Sequence, residues 1–449
     1  MKKLILSLLS IGIVSGSLSS VVSCAGTKRV YGDEGYRAFL VTDGNNIKDH
    51  GFNEQAYDAI RDWGKKNNQE ISKNYLQSKN SNTQTLLRAY KMSSYLGAET
   101  LVLPGFAHGS TLSQIDSVLT NKTNFIVLDA SVSEKNKKGL GVVFESEMAG
   151  FEAGLRAANW ATTKKDNKFQ GAIVSTDNHV RFGTFAGISN KTGVDNFMWG
   201  FVVSVITWNK LMQKANTLDR QIALENLVNL NSRGSNWNKE LEETNSLSDL
   251  NTPVINTDSR WYSNSFAPGA PTAQIIESID KSDVIFPVAG PEVNDVIAHT
   301  RAYVIGVDTD QASILPKNRT LLSAGKNIKG SAMTMLDKIK EYKSNPKIES
   351  PFAKNFHSSD DIGLKYEWSK VFMKEDDKSD NLVEKKSSDS SLSTIIDINK
   401  MSKAKTDLVL KYNGKTDPAK PPKTYFKKDL IEETVKKLLD DFKKTGVNN

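Results

Sequence analysis

Side chains capable of chemistry recur directly behind short apolar runs in this sequence. Asp43 follows Ala38-Phe39-Leu40-Val41-Thr42, and Asp129 follows Asn124-Phe125-Ile126-Val127-Leu128. Gly290 follows Val284–Ala289, Asp308 follows Tyr303–Val307, and Lys326 stands behind the run through Leu322. Carboxylates in such places can chelate a vicinal diol, and a glycine lets a backbone amide approach a ligand closely. Behind Asp43 comes Gly51-Phe52-Asn53, which adds an aromatic face and an amide. Aromatic faces can sandwich a nucleobase, each stacked base contributing about 1–3 kcal/mol. Taken singly, each aspartate reads equally well as a helix N-cap. Their repetition at strand ends points to a small-molecule site.

The elements that would position these groups are strands alternating with helices. Arg37–Lys65 opens with a buried strand, passes a polar turn and continues with Ala56, Ala59, Ile60 and Trp63 on one helical face. Helical spacing recurs over Thr83–Ala98, Met148–Thr162 and Val194 to about Leu211. Further strands are expected at Thr100–Leu103, Phe125–Leu128, Leu140–Phe144, 172–174, Pro253–Ile255, Val284–Ala289, Tyr303–Val307 and Leu321-Leu322. This alternation argues for an α/β protein with parallel sheets wound by right-handed crossovers. Open sheets of that kind bind ligands outside the carboxyl ends of their strands. Val180–Gly193 reads as a long connection.

Other chemistries find little support. Gly325 and Gly330 have the spacing of a P-loop, but Ser331 and Ala332 stand where its lysine and hydroxyl should follow. There is no G-x-S-x-G elbow and no paired-histidine metal spacing, so no catalytic residue, metal or cofactor is expected. His108, behind the Thr100–Leu103 strand, is the histidine best placed to line a cleft, although a hydrogen-bonding role is the commoner one. The formal charge of +7 comes from 59 basic and 52 acidic residues that are interspersed, which describes a solvated surface better than a nucleic-acid footprint.

The ends of the chain carry their own signals. Lys2 and Lys3 precede the apolar stretch Leu4–Val14, and the segment closes on Val21-Val22-Ser23-Cys24, which looks like a bacterial lipobox. Cys24 is the only cysteine of the 449 residues, so it can form no internal disulfide, and a lipid anchor is its most economical use. Residues 1–23 then form a signal peptide and 24–36 a tether. No later apolar run reaches the roughly 18–20 residues that spanning a membrane requires. The expectation is a soluble body, monomeric, held by lipid at the outer face of the cytoplasmic membrane. Residues 216–251, polar and rich in Asn and Ser, read as a surface insertion, and 373–393 as a mobile charged loop. Residues 394–449 read as an extension ending in a helix over Asp429–Lys443.

Taken in order, these pieces resemble the basic membrane protein family of solute-binding lipoproteins, whose studied members bind purine nucleosides for ABC transporters. The resemblance is carried by the lipobox, Asp43-Gly44 with Gly51-Phe52-Asn53, Phe125 to Asp129, and Val194 to Phe201, which is similar to the family's V-x-x-F-x-x-G-F. It continues through Asp283 to Gly290, Ile305 to Gln311, and Ser323-Ala324-Gly325-Lys326. It implies a type I periplasmic-binding-protein fold of two Rossmann-like lobes joined by three crossovers. Residues 37–165 with about 284–320 would form one lobe, and 166–283 with about 321–372 the other. It further implies that Phe52 and Phe197 stack on the two faces of a base, and that Asn53 and Asp129 read the base edge. Asp43, Gly290, Asp308 and Lys326 would address the ribose or line its pocket. The implied partners are a nucleoside and an ABC permease. The chain departs from the family at Pro291-Glu292-Val293-Asn294, where the family is glycine-rich, and at Ser175 to His179. A surface adhesin on the same scaffold is the rival reading, and a nucleoside hydrolase the weaker one.

Overall fold

Strand β1 (Ala38–Val41) is entirely apolar and entirely buried, as a strand covered on both faces must be. The computed structural model describes residues 37–69, 73–144, 146–162, 164–165, 168–169, 180–214, 221–224, 261–356 and 369–373. From β1 the chain continues through α1 (Phe52–Lys66), β2 (Tyr75–Leu76), α2 (Thr83–Tyr95), β3 (Thr100–Pro104), α3 (Leu112–Val118), β4 (Asn124–Leu128) and β5 (Gly139–Val142). Next come α4 (Ser146–Thr162), the short pair β6 (Lys164–Lys165) and β7 (Lys168–Phe169), β8 (Val180–Ala186), α5 (Asn196–Lys214) and β9 (Ile222–Leu224). The later elements are α6 (Ala273–Ile279), β10 (Val284–Val288), α7 (Val293–His299), β11 (Tyr303–Asp308) and β12 (Thr320–Lys326). Helix α8 (Ile328–Ser344), β13 (Lys354–Phe356) and β14 (Ser369–Met373) complete the described chain.

Two six-stranded sheets result. The first has the order β13-β5-β4-β3-β1-β2 and is parallel throughout. The second has the order β14-β12-β11-β10-β8-β9 and is parallel except for its edge strand β14. Each sheet has its own core on both faces. In the first, Ala56, Ile60 and Trp63 of α1 pack with Leu336 and Ile339 of α8 on one face, while Leu86, Tyr90 and Ile115 cover the other. In the second, Leu155, Phe201 and Trp208 of α4 and α5 cover one face, and Ile275, Ile279, Val293 and Val296 the other. The expected pair of parallel-sheet α/β lobes is therefore present. Among the described residues no helix is long and apolar enough to cross a membrane.

The allocation of chain to lobes differs from the expected boundaries. Strands β10 and β11, expected in the first lobe, pair with β8 and β12 in the second sheet. Helix α4 packs on α5 in the second lobe's core, and α8 returns to pack on α1 in the first. The difference includes β8, a buried inner strand where the sequence suggested a connection. Arg181 and the pair Gly183-Thr184 interrupt its apolar pattern, yet Phe182, Phe185 and Ala186 are fully buried and Thr184 Oγ1 donates to Phe286 O at 2.7 Å. Strand β8 lies between β10 and the edge strand β9, and β10 pairs with it along its whole length. Ile222–Leu224, inside the expected insertion 216–251, is the edge strand β9. Met373, the expected start of a loop, ends β14. The expectations for residues 1–36, Cys24 among them, and for 172–174, 253–255 and 374–449 lie outside the described residues.

The chain crosses between lobes after Phe144, at Lys326-Asn327, and between β13 and β14. The second crossing is tied down on its far side by α1. Trp63 Nε1 donates to Asp337 Oδ1 at 2.8 Å, and Lys66 Nζ pairs with Asp337 Oδ2 at 2.8 Å. Trp63 is fully buried. Trp63→Ala should therefore destabilise the protein by about 3–5 kcal/mol, through the cavity and the lost hydrogen bond to Asp337 together. Urea unfolding followed by far-UV circular dichroism checks this, and a loss below ~1 kcal/mol would contradict the packing described.

Candidate ligand-binding site

Both sheets reverse their strand order near the middle, the first between β1 and β3 and the second between β8 and β10. Crevices form at such switch points, outside the carboxyl ends of the strands. At these ends the backbone turns sharply. Asp129 behind β4 has φ 70°, Asp308 at the end of β11 has φ 65°, and Gly290 behind β10 has φ 54°. The left-handed region is costly for a residue with a Cβ, and two aspartates held there mark places where the fold imposes a side-chain direction. A Cβ added at Gly290 would meet nothing within 4 Å, so its backbone borders open space.

Lys326, the last residue of β12, gathers the site. Its Nζ lies 2.9 Å from Asp129 Oδ2, 3.1 Å from Asp308 Oδ1 and 2.8 Å from Gly193 O. The same atom is 5.0 Å from the ring centre of Phe52 and 4.9 Å from that of Phe197. The Lys326 and Asp129 side chains are 1% and 2% exposed, so this ion pair is cut off from water. Burial alone would strip the proton from Lys326, but the Asp129 and Asp308 carboxylates more than offset it and hold the ammonium above its ordinary value. Burial likewise holds Asp129 above the usual carboxylate range, an effect that Lys326 only partly offsets. Asp129 Oδ1 has no hydrogen-bond partner among the described residues. It is a buried acceptor awaiting a donor.

The two phenylalanines are set differently. Phe52, at the start of α1, is half-buried and meets Phe144 edge-on at 6.2 Å. Phe197, in the first turn of α5, is fully buried and meets Phe286 edge-on at 6.0 Å. The structure thus brings Phe52, Asp129, Phe197, Asp308 and Lys326 around one atom.

Asp43 and Asn53 belong to an adjoining network. Asn53 Nδ2 donates to Asp43 Oδ1 at 3.0 Å and to Asp49 Oδ2 at 2.7 Å, while its Oδ1 accepts Asp43 N at 3.3 Å. Both amide protons are engaged, so Asn53 offers no free donor to a base edge here; it braces the loop instead. Burial pushes the Asp43 carboxyl above its ordinary range, against the hydrogen bond from Asn53. Asp49 is the organiser that sequence reasoning missed. Its carboxylate accepts from the backbone N–H groups of Gly51, Asn53 and Glu54 at 2.8, 3.2 and 3.1 Å. An Asp two residues before a Gly is an Asx-turn signature, and that signal stood in the sequence. Gly193 was missed as well. His108 is interior, its Nδ1 2.5 Å from Tyr90 Oη, and burial lowers its pKa to about 3, so it lines no cleft.

Residues 37–201 match the family model Bmp, described as ABC transporter substrate-binding protein PnrA-like. A curated relative is the ABC transporter nucleoside-binding protein BmpA of Lactococcus lactis subsp. cremoris (strain MG1363). It is 27% identical over 132 residues, which are 29% of this chain and 36% of that protein. The match thus spans about a third of the relative's length. Among solved structures, an ABC transporter solute-binding protein from Aeropyrum pernix K1 shares the fold, with a TM-score of 0.51, 14% identity and coverage of 92% of this chain and 90% of that one. The family and both of these relatives are described as binding proteins of ABC transporters, not as enzymes.

Behind Gly290 lies one further ionisable group. Glu292 is fully buried, accepts from Ser263 Oγ at 2.9 Å through Oε1, and has no partner for Oε2 among the described residues. Burial raises its pKa from 4.5 to about 7. A raised carboxyl contributes stability that is complete below its unfolded value and is lost as pH rises through about 7. The melting temperature of the parent should fall relative to that of Glu292→Gln between about pH 5 and about pH 8. A constant difference between the two melting curves across that range would rule this out.

Proposed function

We propose that this chain, whose residues 37–201 match the Bmp, PnrA-like family, is the extracytoplasmic binding protein of an ABC transporter and captures a purine nucleoside between its lobes. The observation that carries the reading is that Phe52 from one lobe and Phe197 from the other face the same atom, with Asp129, Asp308 and Lys326 beside them. A flat, apolar-faced base suits two ring faces. The free Oδ1 of Asp129 suits the N–H edge of a purine. Asp308 supplies an acceptor for a ribose hydroxyl, Lys326 holds that carboxylate in place with its protons directed at Asp129, Asp308 and Gly193 O, and the open space at Gly290 lets a backbone amide reach the same sugar.

Binding in this scheme is hinge closure over the ligand without a chemical step. Delivery to an ABC permease, and attachment through a diacylglyceryl group on Cys24, complete the proposal. Two acyl chains hold a protein firmly, each buried methylene contributing about 0.8 kcal/mol. The Lactococcus relative, described as nucleoside-binding, supports the ligand class.

Isothermal titration of the mature protein with guanosine, adenosine, inosine and uridine tests the ligand. A purine nucleoside should bind, and Phe52→Ala should weaken it about 5- to 150-fold, the worth of one stacked face. If no nucleoside binds at micromolar concentration, the ligand reading is wrong.

A further inference from the structure

We infer that Lys326 is also an interlobe clasp, a buried ammonium that holds the two lobes together through the chain's own charges, and that Gly193 is the residue that lets it close. Asp129 belongs to the first lobe, at the end of β4, while Asp308, Gly193 and Lys326 belong to the second. The ammonium therefore takes one carboxylate and one aromatic face from each lobe, with Phe52 on the first side and Phe197 on the second. Its own backbone sits at a crossing between lobes, where Asn327 Oδ1 accepts Gly330 N at 3.1 Å and fixes the start of α8.

Gly193 completes the closure sterically. Its carbonyl accepts Lys326 Nζ, and a Cβ added there would lie 2.5 Å from Asp129 Oδ2, closer than real Cβ contacts come. Any larger residue would hold Asp129 away from the ammonium. Among the described residues, further contacts between the lobes include Thr309 Oγ1, which donates to His50 O at 2.7 Å, and Phe106, which meets Phe266 at 5.8 Å.

The electrostatics give the clasp its direction. Removing one partner of a buried ion pair leaves an uncompensated buried charge, which is strongly unfavourable. Without the ammonium, Asp129 and Asp308 would repel each other across the cleft, and separation of the lobes is the motion that relieves them. The clasp thus sets how much closed form exists before any ligand arrives, and that fraction scales the apparent affinity of whatever binds.

The clasp does not rest on the nucleoside reading, and its test is separate from titration. Spin labels would be placed at the exposed Lys122→Cys of the first lobe and Lys281→Cys of the second, in the full chain with Cys24→Ser. The protein would be unfolded, dialysed and refolded to remove small molecules before pulsed-EPR distance measurement. The parent should give mainly one short distance. Lys326→Met should move the ratio of closed to open by roughly tenfold or more toward the longer distance. Gly193→Ala, which keeps every charge, should move it the same way. Superimposable distributions for parent and folded Lys326→Met would overturn the clasp, and if that variant does not fold, an unchanged distribution for Gly193→Ala would do so.

Discussion

A lysine ammonium cannot be taken out of water unless charge and hydrogen-bond acceptors are brought to it, because the desolvation cost is several kcal/mol per ion. Lys326 is buried at the meeting of two lobes, and the surrounding architecture reads as the set of conditions that make this tolerable. Two carboxylates and a carbonyl converge on Nζ from strands β4 and β11 and from the turn before α5. Two aromatic faces supply the remaining walls, where their electron-rich surfaces favour a cation. The left-handed backbones of Asp129 and Asp308 are the conformational cost of aiming both carboxylates at one point. A constellation drawn from both lobes cannot form unless the lobes meet. The same charges that can recognise a ligand therefore also report domain position.

The loop after β1 shows how a site is stiffened from behind. Asp49 collects three backbone N–H groups at the start of α1, donors that no earlier turn of the helix can satisfy. The carboxylate also takes a proton of Asn53, whose other amide proton goes to Asp43. The chain spends its polar groups holding Phe52 in place, and the aromatic ring, half-buried and turned toward Lys326, is what remains for recognition. Phe52 and Asn53 are adjacent in sequence but separate in task, one facing the cleft and the other facing the loop. Residue type alone could not divide them, because an amide is equally suited to either.

The strand ends were legible because parallel strands buried on both faces must be continuous apolar runs, and β1, β3, β4, β10 and β11 are. Asp129, Asp308 and Lys326 stood out for what followed those runs. β8 was not legible, since its pattern VRFGTFA is broken at the positions where packing demanded something smaller or polar. A Cβ at Gly183 would come 2.6 Å from Ser282 Oγ and 2.9 Å from Ile279, and Thr184 spends its hydroxyl on Phe286 O. These are tertiary requirements, which a local pattern cannot express. The misassigned lobe boundaries reflect the pairing of β10 with β8 and of β11 with β12, long-range partners that a local pattern does not name. Gly193 was hidden for a related reason: its importance is a close approach to Asp129, a residue of the other lobe.

The departure at Pro291-Glu292-Val293-Asn294 bears on whether the cleft can still work. A glycine-rich turn replaced by bulkier residues could fill the space where a ligand's sugar would lie. The structure distributes these side chains elsewhere. Glu292 turns inward to Ser263, Val293 joins the buried cluster with Ile275 and Val296, and Asn294 Nδ2 donates back to Pro291 O at 3.1 Å. Gly290 itself keeps its left-handed φ and its open surroundings. These side chains are therefore taken up by the interior of the second lobe and a surface turn, leaving the space at the Gly290 backbone unobstructed. A buried carboxyl is an odd replacement for glycine unless it carries a proton, and with burial holding its pKa near 7 it can do so at mildly acidic pH without an ion partner. The turn thus places a carboxyl raised by burial inside the second lobe and leaves the space at Gly290 that the proposed site requires.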